Sequence, residues 1–150
     1  VIRMCLIHDL GETFTGDIPV FMKTDNNEKT EAQLLKEWVS SFPAETAGKW
    51  LALYEEMEKL ETREAKLYKA LDKLEAVISH NESDISTWLP LEYDLQLTHG
   101  RDNVRFSPYM QQLKQAVDAW TLHKIETEKP TDEQTDQPAA GSCPETRDDR

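Results

Sequence analysis

The chain has 150 residues, of which 38% are hydrophobic, and a formal net charge of −12. This length supports one domain with its own core, and the acidic charge opposes binding to nucleic-acid backbones or to anionic membranes. It does not exclude a small phosphate substrate, because a bound divalent cation reverses the local field. The acidic surplus leads us to expect a cytoplasmic protein, and we see no membrane span or signal peptide in the sequence.

The apolar pattern predicts an all-α protein with about five helical elements and no strand. Residues 1–12 form the first helix, which ends near Gly11 and the turn around Thr15-Gly16-Asp17, and residues 20–27 form a loop. Apolar residues at helical spacing predict two further helices over residues 28–41 and 44–60, separated at Pro43. These elements are typical of a helical bundle.

The second half of the chain is predicted to hold two long helices and a connection between them. Thr62 is the expected N-cap of a helix that runs to about His80. Residues 81–106 form a long connection, and Ser107-Pro108 open the last helix as cap and first residue. We expect its core-facing stripe to contain Met110, Leu113, Val117, Trp120 and Leu122.

The two ends of the chain differ in character. The sequence starts at Val1 and enters an apolar run at once, which we interpret as an N-terminally incomplete protein whose first helices are missing. From residue 127 onward the apolar pattern ceases. We therefore expect one domain over residues 1–126 and a disordered acidic tail over residues 127–150.

Ionisable residues are concentrated near the end of the first helix. His8 and Asp9 follow an apolar run, and burying such a pair is costly unless the two are paired or bound to a metal. Glu12 lies four residues after His8, so we expect it on the same helical face. Asp17 follows the turn and is placed to fold back toward the same point.

A second, isolated acid lies on the predicted fourth helix. Asp72 stands between Leu71 and Leu74 on the stripe that should face the core. With His8 and Asp9 it would offer nitrogen and oxygen ligands to a divalent metal. The alternative is that Asp72 pairs with Lys69 or Lys73 on its own helix, and the residues alone leave both interpretations open.

The order of these residues closely resembles the HD-domain superfamily of metal-dependent phosphohydrolases. The resemblance rests on the run Met4-Cys5-Leu6-Ile7-His8-Asp9-Leu10-Gly11-Glu12-Thr13-Phe14-Thr15-Gly16-Asp17-Ile18-Pro19 and on Ala70-Leu71-Asp72-Lys73-Leu74-Glu75. It covers residues 1 to about 125 and is greatest to the branch of small 5'-deoxynucleotidases. It implies an HD-domain helical bundle and hydrolysis of a phosphate monoester, with a nucleoside monophosphate as the small-molecule substrate.

The resemblance also implies roles for five residues. His8, Asp9 and Asp72 would be metal ligands, Glu12 the general acid or base, and Asp17 the residue that positions water or the leaving oxygen. The family completes its metal site with a further histidine on an upstream helix, and no residue here matches it. The metal is Mn²⁺, Co²⁺, Mg²⁺, Zn²⁺ or Fe²⁺, since all accept such ligands, and the substrate-binding residues are unknown.

Two other functions remain open. The same site would serve another phosphate ester, such as a cyclic nucleotide or an alarmone. Alternatively, the chain is an inactive member that acts only by self-association, for instance as a homodimer, with Trp38, Trp50 and Trp120 on its surface rather than in its core.

Among the other histidines, His99 is interpreted as an exposed loop residue.

Overall fold

The computed structural model describes residues 1–19 and 21–129, and within these ranges the chain is all-α and has no strand. The helices are α1 Ile2–Ile7, α2 Glu12–Thr15, α3 Asp25–Ser40, α4 Ala44–Lys59, α5 Arg63–Glu82, α6 Glu92–Thr98 and α7 Pro108–Glu128, with a turn of 3-10 helix at Ile85–Thr87. The predicted fold class is confirmed. No helix in the described part of the chain is long and apolar enough to cross a membrane.

The predicted single helix over residues 1–12 is wrong in its second half. Helix α1 ends at Ile7, and residues 8–11 form a turn in which backbone hydrogen bonds reach back three residues, such as Glu12 N–H to Asp9 O at 3.0 Å. The short helix α2 follows and ends at Gly16, whose φ of 82° is a conformation that favours glycine.

Helix α3 begins earlier than the predicted loop over residues 20–27 allows. Thr24 is its N-cap, and a reciprocal bond pattern joins the Thr24 side chain to Asn27 N–H and the Asn27 side chain to Thr24 N–H. Asn27 stands where such a capping box usually has Glu or Gln, which is why the sequence did not indicate it. The expected caps at Thr62 and Ser107, with Pro108 at the first helical position, are confirmed.

The predicted long connection over residues 81–106 contains the 3-10 turn and helix α6. Both are too short for an apolar period to show, and both begin with local side-chain bonds. Asp84 Oδ1 accepts from Ser86 N–H at 2.9 Å, and Glu92 Oε2 accepts from Leu89 N–H at 2.6 Å. Gly100, with φ 73°, then lets the following turn lie against Lys73 of α5, where a Cβ atom would come within 2.9 Å of Lys73 Cβ.

The predicted stripe of α7 is partly wrong. Met110 and Val117 are buried, but Trp120 and Leu122 are 39% and 46% exposed. The buried face contains Lys114 and Thr121 instead, because these residues follow Met110 and Val117 by one helical turn. Lys114 Nζ donates to the carbonyl of Gln96 at 3.2 Å, so burial of its ammonium is compensated.

Two groups of buried side chains meet along α5. The first packs α1, α3 and α4 against the start of α5, and the second packs the middle of α5 against α7 and the turn before it. The first contains Met4, Leu35, Val39, Tyr54, Met57, Ala65 and Tyr68, and the second Ala70, Leu74, Val104 and Met110. Asp72 therefore lies on a helix that is packed along its length.

An aromatic cluster holds α2 against α3 and α4. Trp38 meets Phe14 with ring centroids 6.1 Å apart and Phe42 at 4.7 Å, both edge to face, and Trp50 packs on Phe42 at 5.5 Å. Such pairs add to the apolar burial of their rings. Trp38 is 39% exposed and Trp50 is half-buried. Their ring contacts show that both pack against other residues of the chain. Of the predicted tail, residues 127 and 128 belong to α7 and Lys129 is the C-cap of that helix, while residues 130–150 lie outside the described residues.

Candidate metal centre

His8 is held in one orientation at the end of α1. Its Nδ1 lies 2.9 Å from the carbonyl oxygen of Cys5, which can only accept, so Nδ1 carries the proton. The end of α1 is itself fixed because the Tyr54 hydroxyl donates to Ile7 O at 2.8 Å. The other ring nitrogen, Nε2, is thereby directed away from the helix.

The structure brings His8, Asp9 and Asp72 together. His8 Nε2 is 2.9 Å from Asp9 Oδ2 and 3.2 Å from Asp72 Oδ1, although Asp72 lies 64 residues further along the chain. One ligand atom from each residue lies within 4.8 Å of the other two. The set consists of one imidazole nitrogen and two carboxylates, a combination that suits a borderline or hard divalent metal.

The local chemistry fits a cation at this point. With Nδ1 protonated, a neutral His8 would direct the lone pair of Nε2 at two carboxylate oxygens, which is repulsive unless a proton or a metal ion lies between them. The carbonyl that orients His8 is the partner that metal-bound histidines generally have. His8, Asp9 and Asp72 could therefore hold a divalent metal.

Charges within the cluster shift the pKa values of its members. The hydrogen bond to Asp72 raises the pKa of His8 more than burial lowers it. Burial raises the pKa of Asp72, but the His8 bond and the nearby Lys69 and Lys73 ammonium groups outweigh it and hold that pKa well below its usual range. Burial raises the pKa of Asp9, which His8 only partly offsets. Asp72 is thus the permanently ionised member.

Asp72 satisfies both interpretations that the sequence left open. Its Oδ1 faces His8, while its Oδ2 lies 2.9 Å from Lys69 Nζ and 3.6 Å from Lys73 Nζ. One carboxylate oxygen thus pairs with the two lysines on the same helix, and the other makes the long-range contact with His8. Lys69 and Lys73 limit the excess negative charge of the centre and fix the orientation of the carboxylate.

Glu12 and Asp17 lie beside the cluster rather than in it. Because the turn at 8–11 interrupts the helix, Glu12 starts α2 and its Oε1 contacts Lys23 Nζ at 3.3 Å. Burial and the nearby Asp9 raise the pKa of Glu12, and Lys23 only partly opposes this. Asp17 is exposed, yet near enough that its charge raises the pKa values of Asp9 and Glu12.

Sequence reasoning missed two residues near the site and misjudged one. Lys23 lies between Glu12 and Glu31, 2.8 Å from Glu31 Oε2. No local sequence pattern indicates Lys23 or Glu31, because their contacts depend on how α3 packs on α2 and the turn before it. His99 was expected to be exposed but is half-buried, and burial and the Lys73 charge lower its pKa.

Comparison with known proteins agrees with this geometry. A family model described as "HD domain" matches residues 1–114, and the chain therefore belongs to the HD-domain family. Among curated relatives, the chain is 33% identical over 84 residues to 5'-deoxynucleotidase HDDC2 of Dictyostelium discoideum. This alignment covers 55% of this chain and 44% of that protein. The mouse protein of the same name is 31% identical over 83 residues, covering 54% of this chain and 42% of the relative.

The human protein of that name is 30% identical over 83 residues, covering 54% of this chain and 41% of the relative. The alignments thus span less than half the length of each of these relatives. No solved structure matches the chain significantly.

Proposed function

We propose that this HD domain is a metal-dependent phosphomonoesterase that releases phosphate from deoxynucleoside 5'-monophosphates. The observation that carries the proposal is the convergence of His8 and Asp9, from the turn after α1, and Asp72, from α5, onto one point. Family membership supports a metal-dependent phosphohydrolase, and the name of the aligned relatives supports the nucleotide substrate.

His8, Asp9 and Asp72 would hold the metal ion. When bound, a divalent ion polarises a phosphoryl oxygen and lowers the pKa of water. Asp72 keeps its negative charge over the whole physiological range, because its pKa lies well below normal. Asp9, 60% exposed, is the ligand that faces solvent and the approaching substrate.

Glu12 is the proposed general acid or base. Its raised pKa brings protonation closer to neutral pH, which is the direction that proton transfer to a leaving alkoxide requires. Asp17 is the proposed residue that orients water or the leaving oxygen, and its exposed position beyond α2 allows contact with a ligand entering from solvent. The same residues would serve another phosphate ester, so the choice between a deoxynucleoside monophosphate and another ester has to be made by comparing substrates.

A second candidate function is self-association without catalysis. Ile2 and Leu6 lie one turn apart on α1 and are 77% and 75% exposed. Adjacent exposed aliphatic side chains favour an interaction surface. Sedimentation of wild type and the double variant Ile2→Ser/Leu6→Ser tests this, and a monomeric wild-type chain would contradict it.

The test of the leading proposal is phosphate release from ribo- and deoxynucleoside 5'-monophosphates, a cyclic nucleotide and an alarmone, with Mn²⁺ or Co²⁺ and with EDTA. We expect metal-dependent release that is greatest for the deoxynucleotides and lost in Asp72→Ala. Asp102→Ala is the matched control, because Asp102 is exposed and its ion pair within the described ranges is with Arg105, at 2.8 Å. Metal-independent release, or equal release by Asp72→Ala, would contradict the proposal.

A further inference from the structure

Lys23 joins two carboxylates from different helices beside the candidate metal centre. Its Nζ lies 3.3 Å from Glu12 Oε1 on α2 and 2.8 Å from Glu31 Oε2 on α3. The three side chains are 19%, 23% and 16% exposed in the order Lys23, Glu12, Glu31. Partial burial strengthens such contacts relative to surface ion pairs, so this triad restricts how Glu12 can move.

Glu31 is itself fixed by close packing against the turn that carries the site. Gly11 is the last residue of the turn at 8–11, directly before Glu12, and it is buried. A Cβ atom at this position would lie 2.7 Å from Glu31 Cγ and 3.0 Å from Glu31 Oε1. Glu31 therefore lies flat on the backbone immediately before Glu12. The packing of α2 on α3 and the Phe14–Trp38 contact reinforce this placement.

The two carboxylates differ in their surroundings. Glu12 has Asp9 and Asp17 close enough to raise its pKa, so without a cation its carboxylate would be repelled from the metal centre. Glu31 has the shorter contact to Lys23, and burial lowers the pKa of Lys23 less than its two acidic partners raise it. Glu31 thus anchors the ammonium, and the ammonium holds Glu12 Oε1. Among the described residues, no hydrogen bond is made to Glu12 Oε2.

We propose that Lys23 and Glu31 are positioning residues that hold Glu12 Oε1, so that Glu12 Oε2 is directed to the reacting group at the His8–Asp9–Asp72 centre. This inference rests on the proposed function for its kinetic consequence. Neither residue contacts the three candidate metal ligands, so their effect is expected on proton transfer and not on metal binding. A positioned acid or base acts only within a narrow range of geometry, and small displacements are costly.

The kinetic experiment compares Lys23→Met, Lys23→Arg, Glu31→Gln and the double variant Lys23→Met/Glu31→Gln in the full chain. We expect Lys23→Met to lower kcat by about tenfold or more with little change in KM. Lys23→Arg should restore most of kcat, and Glu31→Gln should cause a smaller loss. The double variant should be no worse than Lys23→Met, because Glu31 acts only through the ammonium. Lys49→Met, which removes an exposed ion pair with Glu45, is the matched control.

Two measurements are independent of turnover. Mn²⁺ affinity measured by calorimetry should be unchanged in all variants. The ¹³C resonance of the Glu12 carboxyl carbon should move in Lys23→Met and in Glu31→Gln, but not in Lys49→Met. If wild type releases no phosphate from any ester, the proposed function fails, and this resonance still decides the positioning role.

The proposal is overturned if Lys23→Met raises KM with kcat unchanged, since Lys23 would then bind substrate. It is equally overturned if Mn²⁺ affinity falls together with kcat, or if Glu31→Gln leaves the Glu12 resonance in place. Should Lys23→Met fail to fold, Lys23→Arg and Glu31→Gln carry the same test.

Discussion

Two clusters of partly or fully buried polar groups lie on α5, and they are satisfied in different ways. Asn81, near the end of the helix, donates to Thr121 Oγ1 at 2.9 Å on α7, and both side chains are almost fully buried. Asp72, nine residues earlier, shares His8 Nε2 with Asp9. The first cluster consists of neutral groups that complement each other, and the second places two carboxylates on one imidazole nitrogen.

The difference separates a structural polar contact from a site. Neutral donors and acceptors that match each other stabilise one arrangement of the core and need nothing more. Two carboxylates that face one imidazole nitrogen cannot both be satisfied by a single proton, and a metal ion held by all three groups would satisfy them. Asn81–Thr121 should therefore matter for stability alone, and His8–Asp9–Asp72 for binding and chemistry.

The largest expected effect comes from replacing a charge in the second cluster. Asp72→Asn keeps the shape of the side chain but removes the carboxylate, so we expect phosphate release to fall by about a thousandfold or more. The melting temperature should fall as well, because Lys69 and Lys73 lose the ionised partner with which they pair, while His8 keeps an acceptor. Steady-state kinetics and thermal denaturation measure the two quantities. A large loss of stability without loss of turnover would reverse the comparison.

A neutral core substitution should show the opposite behaviour. Asn81→Ala removes the partner of buried Thr121 and leaves a cavity, which should lower the free energy of unfolding by roughly 2–3 kcal/mol. Mn²⁺ affinity should not change, because Asn81 touches none of the candidate ligands. Urea denaturation and metal titration on the same sample check both parts, and a weakened metal affinity would show that the clusters are coupled.

A smaller effect tests how much the hydrogen bond from Tyr54 stabilises the end of α1. Tyr54→Phe removes the bond to Ile7 O and should cost about 1 kcal/mol. Burial raises the pKa of Tyr54 to about 12, whereas an unfolded tyrosine titrates near 10. The folded state therefore binds this proton more tightly. The contribution of the protonated Tyr54 hydroxyl to the free energy of unfolding is complete below about pH 10 and is lost as the pH rises toward 12.

Denaturation at pH 8 and near pH 11 measures this dependence in wild type and in Tyr54→Phe. The alkaline loss of stability should be smaller in Tyr54→Phe, and an identical alkaline loss in both proteins would contradict the role given to Tyr54.

The smallest expected effect defines the background against which the others are judged. Lys49→Met breaks an ion pair whose partners are 72% and 84% exposed. Such pairs contribute little because water and salt screen them, so the free energy of unfolding should change by less than about 0.5 kcal/mol. The same urea titration measures it, and a change above 1 kcal/mol would mean that exposed charges dominate this fold.

The long helices could be predicted from the sequence, while the short ones could not. Helices α4 and α5 carry apolar residues at helical spacing over four or more turns, and their predicted ends lie within about two residues of the observed ones. Helix α6 has seven residues, and α2 has four, too few for a period to emerge. The error in the predicted buried face of α7 has another cause. Lys114 and Thr121 are buried there because they form hydrogen bonds with partners on other elements, which the sequence does not reveal.

The candidate site was predictable in its membership but not in its surroundings. The resemblance to the HD-domain family selected His8, Asp9 and Asp72, and the structure brings the three together. Lys23 and Glu31 carry no local signal, because their contacts depend on how α3 packs on the first turn. Whether the three residues bind metal, and whether Glu12 and Asp17 act on substrate, stay predictions.

The central claim, that His8, Asp9 and Asp72 form a metal centre, is tested most directly by Mn²⁺ titration followed by electron paramagnetic resonance. Wild type and Asn81→Ala should each bind one ion with the same affinity, and Asp72→Asn should bind it about a hundredfold more weakly or not at all. Equal binding by wild type and Asp72→Asn, or no binding by wild type, would contradict the claim.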